Sequence, residues 1–234
     1  MLIYMNTNAP GLWPAPNTYQ PSDAALASLH DVTLAAVVGV SAAGKTTLIE
    51  QLCAADSSVH MLVGTTTRVP RPQEIPERDY HFLSVEQAQA SVRAGDFLTI
   101  TPSPNGDLYA TSPDAYAHNG LTIMALWASG VPLFRALPFA AMRVVVVVPP
   151  SFEEWQRRLN LHDLTDEQHA ARMSEARESL AFAAGDSTAI CIMNDDLARV
   201  TPLFRAAVFG ESNDLLARET ERARLAARAI LRQI

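Results

Sequence analysis

The chain has 234 residues, 48% of them hydrophobic, which is enough for one sizeable core or for one domain with a lid. Its net charge of −7 argues against a nucleic acid polymer as partner, because proteins that bind such polymers carry a basic face. The sequence has only two cysteines and no metal-ligand spacing, which argues against disulfide-rich and structural-metal classes.

The first 30 residues are predicted to form a proline-rich tail, because four prolines between residues 10 and 21 oppose regular structure. Trp13 and Tyr19 leave two alternatives open, a segment pinned onto the domain surface or a loose tail. The N-terminus lacks a secretory signal, and the longest uncharged apolar stretch, residues 121–134, is too short to span a membrane. We therefore expect a soluble, cytoplasmic protein without a membrane partner.

A phosphate-binding loop is predicted at residues 39–47, between an apolar strand (32–38) and a helix-compatible segment (47–55). Its two glycines allow successive backbone N–H groups to face an anion, and the helix N-terminus adds positive charge. Lys45 is expected to reach the β- and γ-phosphates of ATP, and the Thr46 hydroxyl to bind Mg²⁺. The predicted ATP-binding residues are Gly39, Ser41, Ala42, Ala43, Gly44, Lys45, Thr46 and Thr47. We call this segment the P-loop.

Residues 59–63 are predicted to be a short buried strand, and a proline-stiffened loop with two arginines follows it. Arg68 and Arg71 are three residues apart, and a guanidinium group suits bidentate contacts with phosphate. Tyr80 lies shortly after them and could add a hydrogen bond. A solvated surface loop is the alternative interpretation.

The remaining elements alternate between helix and strand. A helix over 84–94 is expected to stop at Gly95, and 97–100 and 107–110 are expected to pair as antiparallel strands. The apolar runs 121–127 and 142–148 are typical of parallel strands buried on both faces. Helices are predicted over 151–159 and 166–184, and a last strand over 188–193. The terminal helix, 213–233, is amphipathic; it packs on the domain or forms a dimer contact, so monomer and homodimer both stay open.

Several motifs occur together in the order found in the guanylate kinase family of P-loop nucleoside monophosphate kinases, which the sequence resembles over about residues 32–210. The motifs are the P-loop, Thr66-Thr67-Arg68-Val69-Pro70-Arg71 with Glu74, Asp79-Tyr80-His81-Phe82, Tyr109-Ala110-Thr111, Pro149-Pro150-Ser151, Arg158-Leu159, Arg172, Glu178 and Asn194-Asp195-Asp196-Leu197.

The resemblance implies an α/β P-loop kinase: a parallel sheet flanked by helices, a small mixed acceptor-binding subdomain and a helical lid. It places the kinase-like domain at 31–210, the acceptor-binding subdomain at about 64–120, the lid at about 157–175 and a packed C-terminal helix at 211–234. The implied reaction is ATP-dependent transfer of a phosphoryl group to the phosphate of a nucleoside monophosphate, GMP to GDP, with Mg²⁺. The implied catalytic residues are Lys45, Arg68, Arg71, Arg158 and Arg172.

The resemblance also implies the residues that hold the acceptor, and some of them depart from the family pattern. The implied acceptor-binding residues are Arg68, Arg71, Glu74, Tyr80, Thr99, Tyr109 and Thr111. Thr99 stands where the family has a guanine-binding carboxylate, Ala125 and Trp127 replace aspartates, and His162 replaces a lid arginine. Asp107 or Glu74 could supply the missing carboxylate.

Three interpretations therefore stay open. The chain is a divergent guanylate kinase, a kinase of another phosphorylated acceptor (a different nucleotide or ribose 1,5-bisphosphate), or a catalytically silent binding module with the same fold. The intact Lys45 and Thr46 argue against the silent module, because such modules tend to lose the P-loop lysine.

Overall fold

The computed structural model describes residues 12–103, 105–161 and 164–234. Its strands are β1 Thr33–Val38, β2 Val59–Met61, β3 Thr65–Thr66, β4 His81–Phe82, β5 Thr99–Pro102, β6 Leu108–Thr111, β7 Leu121–Ala125, β8 Ala141–Val148 and β9 Ile190–Met193. Its helices are α1 Asp23–Ala27, α2 Lys45–Ala55, α3 Val85–Ala94, α4 Val131–Arg135, α5 Phe152–Leu159, α6 Asp166–Gly185, α7 Leu197–Phe209 and α8 Asp214–Leu231.

Five strands form the parallel sheet that the sequence predicts, in the order β2-β7-β1-β8-β9, with helices flanking it. The apolar runs in β1, β7 and β8 are buried over most of their lengths, as expected for strands covered on both faces. At one edge, β2 is shorter than the predicted strand, and only Val59 of its three residues is buried. An edge strand has one neighbour, so its remaining side chains reach solvent.

Two compact units divide the chain. The first consists of the chain up to Leu34, His60–Thr122 and Pro132–Ala141, and the second of Ala35–Val59, Ile123–Val131 and Met142–Ile234. The domain boundaries predicted near residues 30 and 210 stay predictions.

The first unit contains a four-stranded mixed sheet in the order β4-β3-β6-β5. The predicted antiparallel pair is confirmed as β5 with β6, shifted by one or two residues, and Thr99 lies opposite Thr111. Helix α3 begins at a capping box on Ser84 and ends at Gly95, whose φ of 73° is left-handed, as predicted from the glycine.

The segment before β1 packs against this unit from residue 12 onward, which decides between the two alternatives for Trp13 and Tyr19. Both side chains are buried in a cluster with Phe97, Ile100 and Leu108. The Trp13 indole N–H donates to the Gly106 carbonyl at 2.8 Å. Residues 23–27 form α1, contrary to the prediction that the segment lacks regular structure. The prolines of this segment all precede Ser22, the N-cap of the helix, so none of them interrupts it.

Replacing Tyr19 with phenylalanine should lower the free energy of unfolding by about 1–3 kcal/mol, because buried backbone groups of Phe97 lose their partner. The Tyr19 hydroxyl donates to the Phe97 carbonyl at 2.8 Å and accepts from the Phe97 N–H at 3.0 Å. Urea denaturation measures the change. Thr18→Ala is the control, since its hydroxyl makes only an exposed local bond to Ala15, and we expect less than about 0.5 kcal/mol. Equal values for both variants would contradict an integral N-terminal segment.

The second unit contains the P-loop, α2 and the helices from α5 to α8. Helices α5 and α6 match the predicted ranges closely, and α6 buries Ala176, Leu180 and Ala183. Helix α7, for which the sequence analysis gives no prediction, follows β9 and contains Pro202 in its interior. Among the described residues, no helix combines the length and the apolar character that crossing a membrane requires.

Candidate functional site

The P-loop adopts a backbone that its sequence explains. Gly39 and Gly44 have φ angles of 147° and 92°, which favour glycine. A Cβ atom at Gly39 would lie 2.2 Å from the carbonyl oxygen of Val147, so this position excludes any side chain. Ala42, with a φ of 61°, is a left-handed residue that is not glycine. Such strain is typical of backbone held in place for function.

Two side chains from distant parts of the same unit hold P-loop carbonyl groups. The buried Trp155 indole donates to the Ser41 carbonyl at 2.9 Å, and the Asn194 amide donates to the Ala43 carbonyl at 2.8 Å. In a trans peptide the C=O and N–H groups point in opposite directions. The N–H groups of Ala42 and Gly44 therefore point away from Trp155 and Asn194.

Lys45 is the single lysine of the chain and begins α2. Its partly buried ammonium group donates to the carbonyls of Gly39 at 2.7 Å and Val40 at 2.9 Å. Burial lowers the pKa of Lys45 to about 8; the Glu175 carboxylate opposes this shift, and the Arg172 guanidinium adds to it. The charged group is thus placed among carbonyl oxygens at some cost in solvation, an arrangement that an anion would relieve.

A single lysine allows its pKa to be measured directly. Protein labelled with ¹³C-lysine should give one lysine side-chain signal that titrates near pH 8 instead of near 10.5. Because the pKa is lower in the folded state, the unfolded chain binds more protons between pH 8 and 10.5, so this group makes the free energy of unfolding rise with pH in that window. A titration midpoint near 10.5 in the folded protein would contradict the buried position of Lys45.

The two arginines predicted in the lid region both have carboxylate partners. Arg158 donates to Glu154 at 2.7 Å and to the Asn194 carbonyl at 3.0 Å, whereas Arg172 pairs with Glu175 at 3.0 Å. Burial raises the pKa of Glu175, and Arg172 and Lys45 oppose that shift. Arg172 and Glu175 thus interact electrostatically with Lys45, and Arg158 contacts the residue that holds the P-loop. His162, the predicted replacement of a lid arginine, lies outside the described residues.

In the first unit, every nitrogen of the Arg68 guanidinium group donates a hydrogen bond. Nη2 donates to the Glu74 carboxylate at 2.7 and 3.0 Å, Nε to the Tyr109 hydroxyl at 3.2 Å, and Nη1 to the Val69 carbonyl at 2.8 Å. Glu74 also accepts from the backbone N–H of Arg71 at 2.8 Å. Glu74 therefore organises both arginine positions.

The predicted tyrosines lie beside Arg68. The Arg68 guanidinium carbon is 5.6 Å from the centre of the Tyr80 ring, and the Tyr80 and Tyr109 rings are 5.9 Å apart at an angle of 64°. Burial raises the pKa of Tyr80, so its hydroxyl stays protonated at neutral pH. The side chain of Arg71 is exposed and interacts electrostatically with Tyr80. Arg68, Arg71, Tyr80 and Tyr109 therefore form one cluster, which we call the arginine–tyrosine cluster.

The hydroxyl groups of Thr99 and Thr111 pair with each other instead of facing solvent. Their oxygens are 2.8 Å apart, and the Tyr116 hydroxyl donates to Thr111 at 3.1 Å. Thr99 is 4% exposed and Thr111 is fully buried. Threonine hydroxyls do not ionise in proteins, and burial raises the pKa of Tyr116, so all three hydroxyls are neutral. The group offers no negative charge to a ligand.

Sequence reasoning did not identify four residues that complete these arrangements: Trp155, Glu175, Tyr116 and the side chain of Asn194. Trp155 and Asn194 contact the P-loop from 114 and 151 residues further along the chain. Asn194 had a signal, because it belongs to a motif already noted. The other three look like ordinary helix or turn residues until the chain folds.

The chain is similar in sequence to proteins of a known family. The guanylate kinase family model matches residues 32–206. A guanylate kinase from Dechloromonas aromatica is 34% identical over 181 residues, covering 74% of this chain and 86% of its own. Guanylate kinases from Rubrobacter xylanophilus and Synechococcus elongatus are 36% and 33% identical, covering 71% and 74% of this chain and 87% and 95% of their own.

A glycine-bounded loop between a buried parallel strand and a helix, with Lys45 and Thr46 at its end, defines the class as P-loop phosphotransferases. The chain belongs to the guanylate kinase family, as its motifs predicted. It is thus a nucleoside monophosphate kinase by family.

Proposed function

We propose that the protein transfers the γ-phosphoryl group of ATP to the phosphate of a nucleoside monophosphate, with GMP converted to GDP. The observation that carries this proposal is the P-loop, in which Lys45 is charged, partly buried and surrounded by carbonyl groups. The relatives named as guanylate kinases support GMP as the acceptor.

The P-loop residues from Gly39 to Thr47 are proposed to bind the ATP phosphates. The N–H groups of Ala42 and Gly44, which point away from Trp155 and Asn194, would donate to phosphate oxygens. Lys45 would exchange its bonds to the Gly39 and Val40 carbonyls for bonds to the β- and γ-phosphates. Adding MgATP should therefore raise the titration midpoint of the lysine signal above 8.

Mg²⁺ fits the residues present. Mg²⁺ is commonly bound through substrate phosphates and water, with few ligands from protein. The Thr46 hydroxyl is exposed in the first turn of α2 and can supply such a ligand. The described residues contain no group of three or more His, Cys, Asp or Glu that could hold a metal by itself. Bound there, Mg²⁺ would neutralise charge on the phosphates.

The arginine–tyrosine cluster is proposed to bind the acceptor phosphate. Arg68 is held in position by Glu74, and Arg71 is exposed next to it. Arg158 and Arg172 are proposed to neutralise charge as the phosphoryl group moves, because two phosphates that approach each other repel strongly.

A second candidate, a kinase of another phosphorylated acceptor, is favoured by one observation. Thr99, Thr111 and Tyr116 satisfy one another and carry no charge, whereas guanine presents N–H donors that a carboxylate reads well. Neither Ala125 at the end of β7 nor Trp127 supplies a carboxylate. An acceptor with no guanine, such as another nucleotide or ribose 1,5-bisphosphate, would not need one.

A coupled assay of ADP release with MgATP tests these proposals. The acceptors are GMP, dGMP, AMP, UMP, CMP and ribose 1,5-bisphosphate. The highest kcat/KM with a guanine nucleotide, GMP or dGMP, would support the first proposal. The highest value with AMP, UMP, CMP or ribose 1,5-bisphosphate would support the second. ATP binding without turnover of any acceptor would point to a silent binding module.

A further inference from the structure

The terminal helix α8 buries a carboxylate where its pattern predicts an apolar stripe. Leu216, Ala223, Ala227 and Ile230 are buried along one face of the helix, but Glu219 is also buried, at 5% exposure. A carboxylate is rarely buried unless it is paired, because removing it from water is costly. The partners of Glu219 therefore show what this residue does.

Glu219 binds the backbone of Met193, the last residue of β9, directly and through Arg199. Its Oε1 accepts from the Met193 N–H at 2.9 Å, and its two oxygens accept from Arg199 at 2.9 and 3.1 Å. Arg199 in turn donates to the Met193 carbonyl at 2.8 Å. The backbone of Met193 is thus bound on both its N–H and its C=O sides by a pair of charges that also bind each other.

Further ion pairs connect Glu219 and Asp195 through shared arginines. Arg222 on α8 donates to Glu219 at 3.3 Å and also pairs with Asp195. Burial by itself would raise the pKa of Asp195, but hydrogen bonds from Arg222 and Arg199 outweigh it and lower the pKa to about 2. Each carboxylate has two guanidinium partners, which fix the chain on both sides of Asn194.

Asn194, the residue directly after Met193, contacts the P-loop. Its amide holds the Ala43 carbonyl, and a Cβ at Gly44 would lie 2.3 Å from its Nδ2 atom. Its own N–H donates to the Val148 carbonyl at 2.8 Å. A shift of Met193 would therefore move Asn194 and turn the peptide group that carries the Gly44 N–H.

We infer that Glu219 is a positioning residue for the donor site: with Arg199, it sets the position of Asn194 and thereby the direction of the Gly44 N–H in the P-loop. Helix α8 follows the stretch matched by the family model. Through Glu219, it would help to position the backbone that binds ATP. The inference rests on the proposed function only in taking ATP as the ligand of the P-loop.

Glu219→Gln tests the inference. The amide keeps the size of the side chain, but it cannot accept from Met193 and both arginines at once, and its NH₂ group faces donors. We expect the Kd for MgATP, measured by calorimetry, to rise about tenfold, equivalent to the loss of one good hydrogen bond. The KM for GMP should change less than about twofold. Glu221→Gln is the matched control, because Glu221 is exposed on the same helix and its ion pair is with Arg228, at 3.8 Å. The Kd of this variant for MgATP should not change.

A double-mutant cycle with Asn194→Ala tests the route. If Glu219 acts through Asn194, adding Glu219→Gln to Asn194→Ala should weaken ATP binding little further. Additive losses would overturn this route. The positioning role would be overturned if Glu219→Gln left the Kd for MgATP unchanged. It would also be overturned if the KM for GMP rose by the same factor as the Kd for MgATP.

Folding is checked separately by urea denaturation. If Glu219→Gln does not fold, Arg199→Lys decides, because it keeps the charge but loses the planar fork that binds both Glu219 and Met193; the same tenfold loss is expected. Failure of the proposed function would be distinct from these outcomes. The wild-type protein would then fail to bind MgATP, or would bind it without turning over GMP, and in the latter case the binding comparison still decides.

Discussion

Lys45→Met should lower kcat/KM for phosphoryl transfer by about a thousandfold or more, because it removes the ammonium group proposed to contact the β- and γ-phosphates while charge moves between them. Methionine retains the length of the side chain and removes its charge. Lys45 is the single lysine of the chain, so the variant has none. The ADP-release assay at saturating MgATP, with the best acceptor, measures the change.

The control for Lys45→Met is Arg205→Met, which removes a cation from the surface of the same unit. Arg205 pairs with Asp56 at 3.3 Å and with Glu211 at 3.4 Å, and none of these three residues has a role in the proposed function. Its turnover should stay within about twofold of wild type. Full turnover by Lys45→Met would refute the P-loop mechanism, whereas equal losses in both variants would indicate a general effect of removing positive charge.

Arg68→Met should raise the KM for the acceptor more than tenfold or lower kcat about a hundredfold, while the Kd for MgATP changes little. The guanidinium group is the anchor of the arginine–tyrosine cluster, with bonds to Glu74, Tyr109 and Val69. Removing it also leaves the Glu74 carboxylate, 16% exposed, without its main partner. Steady-state kinetics with each substrate varied in turn measures kcat and the two KM values separately, and calorimetry measures the Kd for MgATP.

Two further variants are compared with Arg68→Met. Arg78→Met is the matched control, because Arg78 lies nearby on the chain but is exposed and pairs with its neighbour Asp79. Arg68→Lys keeps the charge and loses the planar fork, so we expect partial activity. Equal effects of Arg68→Met on ATP and on the acceptor would argue against the acceptor role.

The elements that sequence reasoning predicted well depend on short-range signals. The P-loop follows from nine consecutive residues, and the stop of α3 follows from one glycine that can adopt a positive φ. The buried strands β1, β7 and β8 follow from apolar runs. In each case the deciding interactions lie within a few residues, where spacing and side-chain type are sufficient.

Contacts between distant residues were not predicted. The buried Glu219 interrupts an apolar stripe that a helical period alone would extend. Helix α7 has apolar residues at helical spacing, but Pro202 in its interior opposes a helix when only the local sequence is considered. The proline-rich start looked unstructured because its partners, Phe97 and Gly106, lie about 80 to 90 residues away. Packing supplies these partners only after the chain has folded.

The sequence by itself determined the chemical class of this protein: the glycine spacing, Lys45 and Thr46 predict phosphate binding, and the ordered motifs predict the family. Only the tertiary structure decided how the site is held, with Trp155 and Asn194 on P-loop carbonyls, Glu74 on Arg68, and Thr99 paired with Thr111. The physical reason is that backbone conformation depends on neighbours in the chain, whereas the direction of a buried hydrogen bond depends on whichever group packing brings within about 3 Å.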